Sequence, residues 1–260
     1  MILFDNKYIL YYTLIKLKGV AMSYGFKITI EGDYALFTRS DCKVERVSYD
    51  VPPPSAIEGI LKCIYWKPCI RYEIKRIIVF NEIQYANIRR NEVKNKILLS
   101  KVKSQMKGGT SPVIYTAEER SQRASMLLKN VKYGIEFCFS LTGLRADKED
   151  ECEEKHYNII KRRLEKGQCF RQPYFGCREF GVHKIEFVSD FNYTKISPTL
   201  KGTIDLGYML YGMQFKDGGK PVNNDWDNPK FSDEADAMFY HPYLVDGIID
   251  VQKYKEAIKC

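Results

Sequence analysis

The sequence predicts an α+β fold in which strands and helices follow one another as β-α-β-β-α-β. Three observations carry that expectation. An alternating apolar stretch runs over 26–31, an amphipathic helical stripe follows the triple proline 52–54, and a second alternating stretch at 131–139 precedes a helical pattern that ends at Gly167. With 260 residues, 45% hydrophobic and 28% charged, the chain is long and apolar enough to bury a core of its own.

Phe26-Lys27-Ile28-Thr29-Ile30-Glu31 alternates apolar and polar side chains, the mark of a half-buried strand, and Gly32-Asp33 ends it. The first helix starts at Ser55, where Ser55-Ala56-Ile57-Glu58 has the spacing of a capping box. Ile57, Ile60, Leu61, Ile64 and Tyr65 then form one apolar stripe, and Pro68 stops the helix. Tyr72 to Phe80 and Gln84 to Ile88 read as two strands joined by a short turn at Asn81-Glu82. Arg89 to Glu119 is polar and basic, carries Lys107-Gly108-Gly109, and reads as a long mobile insertion. Val131, Tyr133, Ile135, Phe137 and Phe139 alternate as a strand. Glu149 to Lys166 is expected to be helical, with Cys152, His156, Ile159, Ile160 and Leu164 near one face, and Tyr174 to Phe187 supplies a further strand region. This order is the ferredoxin-like split βαβ plan, also that of RRM-like domains. It is expected over residues 22–190, with a small C-terminal β-rich extension over 191–260 that includes Ile204 to Phe215 and Ile248 to Val251.

Several function classes fall away. The apolar stretch Tyr8 to Ile15 is cut by Lys7 and Lys16, far short of the roughly 20 residues a membrane helix needs. Asp5, Lys16 and Lys18 also fit a signal peptide poorly. Residues 1–21 read instead as a leader or non-native extension, with Met22 as the natural start; the intact mass of the natively expressed chain tests this. The eight cysteines form no C-x-x-C pair, which argues against zinc ribbons and thioredoxin-like motifs and for free thiols in a reducing cytoplasm. Gly108-Gly109 lacks the Lys-Ser/Thr of a P-loop, and neither H-E-x-x-H nor paired histidines occur, so no metal and no cofactor is expected.

The net charge is +8, and it is uneven. Leu61 to Lys107 holds twelve bases against three acids, whereas Lys201 to Asp250 holds four bases against nine acids. The basic stretch interleaves with Tyr65, Trp66, Tyr72, Phe80 and Tyr85, the combination of phosphate partners and stacking rings that single-stranded RNA requires. A solvated charged face is the plain alternative. Proton transfer near neutral pH must draw on His156, His183 or His241. In a split βαβ plan both helices lie on one face of the sheet, so Tyr65 at the end of the first and Lys155-His156 on the second can meet. The plain readings are a core tyrosine, and a histidine at the edge of its helix stripe.

Beside that reading stands a resemblance. Gly32-Asp33-Tyr34-Ala35-Leu36-Phe37, Ser48-Tyr49-Asp50-Val51-Pro52-Pro53 and Ile64-Tyr65-Trp66-Lys67-Pro68 are followed by Gln122-Arg123 and Lys155-His156-Tyr157. Gly176-Cys177-Arg178-Glu179-Phe180 and Asp205-Leu206-Gly207-Tyr208-Met209-Leu210 complete the series. In this order, from about Met22 to Val251, the sequence resembles the CRISPR-associated Cas-five family of type I-C systems (the Dvulg subtype). The resemblance implies a ferredoxin-like RNA-binding domain and a metal-independent endoribonuclease that cuts CRISPR repeat transcripts beside a stem-loop. The family's catalytic Tyr, Lys and His map onto Tyr65, Lys155 and His156. It also implies partners: the repeat or guide RNA, whose 5′ handle the protein keeps, and the other subunits of the effector complex. The family's Gly-rich loop is matched only by Gly108-Gly109 within an unusually basic insertion.

The chemistry expected is attack of a ribose 2′-OH on its own phosphate, leaving a 2′,3′-cyclic phosphate and a 5′-OH. Histidine, with a reference pKa of about 6.5, suits His156 to carry the proton. Lys155 suits the developing phosphorane charge, and Tyr65 suits orienting the 2′-OH or protonating the leaving oxygen. Which group is acid and which is base stays open at this level. Lys67, Arg120, Arg123, Lys129 and Arg178 are the candidate RNA contacts. The alternative is a guide-RNA-binding subunit that cuts nothing.

Overall fold

The structure, a computed structural model, describes residues 25–42, 44–144 and 152–258, so the expected leader and Met22 lie outside the described residues. The elements in chain order are β1 (Phe26–Ala35), β2 (Arg46–Val47), α1 (Pro54–Ile64), β3 (Ile70–Val79), β4 (Gln84–Val93), α2 (Leu99–Met106), β5 (Arg120–Leu141), α3 (Glu153–Lys166) and β6 (Lys184–Phe187). They continue with β7 (Thr203–Asp205), β8 (Met209–Phe215), β9 (Ala235–Tyr240), β10 (Tyr243–Val245) and β11 (Ile248–Asp250). The fold is α+β, with one large sheet in the order β6-β1-β5-β3-β11-β10-β7. Its pairings are antiparallel except for the short parallel contact of β2 with β5.

The 22-residue β5 organises the sheet. Its C-terminal half lies between β1 and β3, with Phe137 opposite both Phe26 and Ile74. Its N-terminal half pairs with β4, Lys129 facing Gln84 and Arg120 facing Val93. The two strands expected at Tyr72–Phe80 and Gln84–Ile88 therefore form but do not pair with each other. β3 and β4 follow one another along the same edge of β5, where Val79 faces Tyr133 and Gln84 faces Lys129. The turn at Asn81-Glu82 steps the register without reversing the chain. It is held there by Asn81 Nδ2 donating to the carbonyl of Asn130 at 2.8 Å, Asn130 itself having φ 52°.

The insertion also differs from expectation. Residues 89–119 contain the rest of β4 and the short helix α2 rather than uninterrupted loop. No residue of β4 or α2 is buried, so neither carries the one-sided apolar pattern that identifies an element in sequence.

Helix α1 begins on prolines. Pro53 is the N-cap and Pro54 the first helical residue, where a fixed φ and a missing N–H do no harm. Ser55 falls inside the first turn and makes no capping bond, so the expected capping box is absent. Ile57, Ile60, Leu61 and Ile64 are buried as the stripe predicts. Helix α3 is described from Glu153; of its expected start, residues 149–151 lie outside the described residues. Glu153 and Glu154 suit the positive end of its dipole, and Gly167 closes it at φ 63°. Both helices pack onto the core formed by Phe26, Ile28, Ile30, Tyr133, Ile135, Phe137 and Phe139, and they touch one another.

Of the strand region expected over 174–187, only β6 and a bridge between Tyr174 and Gly181 form. The C-terminal segment continues the sheet, since β11 adds to the outer edge of β3 and β10 and β7 follow. β8 and β9 form a separate two-stranded sheet, with β8 against α1.

Candidate active site

Tyr65 is the first residue beyond α1. Its N–H still reaches the carbonyl of Leu61 at 3.0 Å, but its backbone is already extended (φ −153°, ψ 133°), so the side chain departs from the helix stripe. The carbonyls at a helix end lack partners within the helix. Here the Arg163 guanidinium donates to the carbonyl of Ile64, and the Tyr72 hydroxyl donates to that of Tyr65 at 2.6 Å. The same guanidinium lies 5.1 Å from the centre of the Tyr65 ring. Burial pushes the Tyr72 phenol well above its ordinary range, which keeps it a hydrogen-bond donor at neutral pH.

His156 belongs to the buried stripe of α3 with Ile160 and Leu164. Its Nδ1 is 2.9 Å from the Tyr65 hydroxyl, its Nε2 is 3.6 Å from Cys69 Sγ, and the Phe139 ring meets it edge-on at 6.3 Å. Lys155, half-buried, is on the same turn, about 100° around the helix axis. The fold therefore brings Tyr65 and His156 into direct contact, with Lys155 one residue away.

Two numbers govern what this pair can do. His156 is 0% exposed and Tyr65 is 5% exposed. The tyrosine is a core side chain, as its plain reading has it, and also the partner of the histidine. The imidazole has no surface to offer a bound phosphate, whereas Tyr65 keeps a small exposed area. In the tautomer with hydrogen on Nε2, Nδ1 accepts from the phenol and Nε2–H faces the Cys69 sulfur. The other tautomer reverses both roles.

The candidate RNA contacts divide into two groups. Lys67, half-buried, is two residues from Tyr65. Arg120, Arg123 and Lys129 occupy the N-terminal half of β5. At about 3.3 Å per residue, Lys129 is roughly 30 Å along the strand from Phe139, and Arg120 roughly 60 Å. The structure does not bring these three to Tyr65. Arg123 is engaged by Glu92 at 3.7 Å and donates to the carbonyl of Val44 at 3.4 Å. Glu92 also gathers Arg46 at 3.2 Å and Arg90 at 3.5 Å. Arg178 is exposed, in a turn that the Arg90–Glu179 ion pair ties to β4. That turn requires glycine at 176, where φ is 80° and an added Cβ would sit 1.9 Å from the carbonyl oxygen of Leu36.

Sequence reasoning missed Cys69, Tyr72, Phe139 and Arg163. Arg163 alone left a signal, since it follows His156 by seven residues, two turns along the same helix face. Among the described residues, no three His, Cys, Asp or Glu side chains converge as metal ligands would, and no helix is long and apolar enough to cross a membrane.

Comparison with known proteins adds the family. The Cas_Cas5d family model, described as CRISPR-associated protein (Cas_Cas5), matches residues 25–252. A relative from Mannheimia succiniciproducens, named CRISPR pre-crRNA endoribonuclease Cas5d, is 39% identical over 92% of this chain and 100% of its own length. A relative of the same name from Thermus thermophilus is 34% identical over 88% of this chain and 93% of its own. A solved structure described as a CRISPR-associated protein shares the fold, with TM-score 0.56 and 24% identity over 88% of this chain and 91% of that one. The functionally uncharacterized protein SMU1763c from Streptococcus mutans aligns with TM-score 0.58 and 26% identity over 92% of this chain and 98% of its own. With the family model spanning nearly all the described residues and two relatives above 30% identity along almost their whole lengths, this chain belongs to the Cas5d family of CRISPR-associated proteins.

Proposed function

We propose that this chain is a CRISPR pre-crRNA endoribonuclease that cuts repeat RNA beside its stem-loop without metal. It then stays on the 5′ handle of the guide as a subunit of the type I-C effector complex. The observation that carries this reading is the hydrogen bond between Tyr65 and His156. The names of the two relatives support the activity. The strand order β6-β1-β5-β3, with α1 and α3 as connections, supports a ferredoxin-like domain. The free cysteines among the described residues support a reducing cytoplasm.

The difference in burial supports a division of roles. Tyr65 is the group that meets the ribose, and His156 acts behind it. The phenol passes its proton to Nδ1 while its oxygen takes the proton of the 2′-OH. The freed 2′-oxygen forms the new bond to phosphorus, and the bond to the 5′-oxygen breaks. The proton held on His156 returns through Tyr65 to that leaving oxygen, which gives a 2′,3′-cyclic phosphate and a 5′-OH. Lys155 supplies positive charge to the pentacoordinate phosphorane. General acid–base transfer of this kind contributes about 10²–10⁴-fold.

The test is cleavage of repeat RNA in EDTA by the wild type and by His156→Ala, with the product ends identified. Cyclic phosphate ends in EDTA, a rate loss of about 10²-fold or more in the variant, and no cutting of RNA with 2′-deoxyribose at the scissile position are expected. A requirement for divalent metal, or undiminished cutting by His156→Ala, overturns the mechanism. The complete burial of His156 favours a second reading, a guide-RNA holder in which the Tyr65–His156 pair only braces the fold. Uncut RNA bound tightly by the wild type establishes that reading instead.

A further inference from the structure

Two large rings stand in solvent at the C-terminal end of α1. Trp66, directly after Tyr65, is 51% exposed, and Phe170 is 82% exposed. They are distant in sequence but stitched together. The carbonyl of Cys63, in the last turn of α1, accepts the N–H of Phe170 at 2.9 Å and that of Arg171 at 3.2 Å. Segment 170–171 is thereby fixed to Cys63, three residues before Trp66, and Arg171 Nε on Cys63 Sγ at 3.3 Å secures it further. The surroundings are basic: Arg171 is exposed, Lys67 is half-buried, and Arg163 is bound to the carbonyl of Ile64. Single exposed apolar residues are common on protein surfaces. Two exposed rings on one helix end, among bases and beside the buried phenol, have the composition of a stacking site for single-stranded nucleic acid.

We propose that Trp66 and Phe170 form a platform on which an unpaired nucleotide of the RNA, next to the cut phosphate, stacks its base. The platform rests on the assignment of Tyr65 as the group that meets the ribose. The stacked base fixes the strand on one side of the scissile bond and draws the 2′-OH toward the phenol, which a surface of lysines and arginines alone does not do. Neither ring titrates, and both faces of a purine or pyrimidine suit it, so the platform selects an unpaired base over a paired one rather than one base over another.

The experiment uses the full chain and repeat RNA made uncleavable by 2′-deoxyribose at the scissile nucleotide. The protein has two tryptophans, so Trp226→Phe leaves Trp66 as the only one without altering the platform. Saturating RNA is expected to quench Trp66 emission. Trp66→Ala and Phe170→Ala are expected to weaken binding roughly ten- to hundredfold, while Trp66→Phe retains most of the affinity. An abasic nucleotide at the stacked position is expected to weaken the wild type and leave Trp66→Ala unaffected. Unchanged emission at saturation, or equal abasic penalties in the wild type and Trp66→Ala at every nucleotide around the cut, overturns the platform. The nuclease reading fails separately: RNA with an intact 2′-OH then quenches Trp66 and is not cut.

Discussion

The Arg163 guanidinium spans two features of the same neighbour, lying 5.1 Å over the Tyr65 ring while it donates to the carbonyl that precedes Tyr65 in the chain. One side chain of α3 thus holds both the ring and the backbone of the last turn of α1. Arg163→Gln removes the charge over the ring and the fork that reaches the carbonyl. It is expected to lower stability by about 1–3 kcal/mol and to slow cleavage more than it weakens RNA binding. Arg163→Lys keeps the charge without the planar fork and recovers only part of the loss. Thermal denaturation and single-turnover cleavage check both variants; a Gln variant as stable and as fast as the wild type removes Arg163 from the site.

Tyr65→Phe deletes one oxygen and leaves the ring packed. His156 Nδ1 then loses its partner at 2.9 Å inside a closed site, a change that costs about 1–3 kcal/mol. The relay loses the atom that receives the 2′-OH proton, so single-turnover cleavage is expected to fall by about 10²-fold or more, with affinity for uncleavable repeat RNA retained. Cleavage near the wild-type rate in Tyr65→Phe withdraws the phenol from the mechanism and leaves it a core residue.

The sequence made α1 legible because Ile57, Ile60, Leu61 and Ile64 repeat with the helical period and Pro68 marks its end. The start was misjudged for a physical reason: the proline run sets its own backbone angles, which makes a serine cap unnecessary. The C-terminal half of β5 was equally plain, because Val131, Tyr133, Ile135, Phe137 and Phe139 all face the core. Its N-terminal half buries Ser125, Leu127 and Leu128, but it opens on the polar run Arg120-Ser121-Gln122-Arg123 and so lacks the alternating apolar signal in sequence. Whether Asn81-Glu82 reverses the chain or only shifts its register depends on Asn130 and β5, some fifty residues away, which local turn chemistry does not encode. At the site, the family likeness indicated Tyr65, Lys155 and His156. The closure around His156 was not legible, because Cys69 and Phe139 come from segments that only the finished fold brings near.

Tyr72, Tyr133 and Tyr240 all have phenols pushed well above their ordinary value, chiefly by burial. An acid whose pKa is raised in the folded state adds stability that is complete below its unfolded value and fades as pH rises toward the folded one. With an unfolded value of about 10, the protein is expected to lose stability progressively above about pH 10. Ionisation of these three phenols should coincide with unfolding. Tyrosinate absorbance followed together with near-ultraviolet circular dichroism checks this. Ionisation of all nineteen tyrosines near pH 10 with the fold intact contradicts the burial.

Arg123 and Lys129 stand on the same half of β5, but their surroundings differ. Arg123 is drawn in by Glu92 and the carbonyl of Val44, whereas Lys129 is exposed. A phosphate contact by Lys129 releases counterions, so Lys129→Ala is expected to flatten the dependence of log Kd on log salt by roughly 0.7. Arg123→Ala is expected to leave that slope unchanged, since its charge already serves Glu92. The carboxylate keeps Arg46 and Arg90, so the stability loss stays within about 1 kcal/mol. Titrations of uncleavable repeat RNA at several salt concentrations separate the two. A slope that falls for Arg123→Ala and not for Lys129→Ala reverses the assignment and requires RNA to displace Arg123 from Glu92.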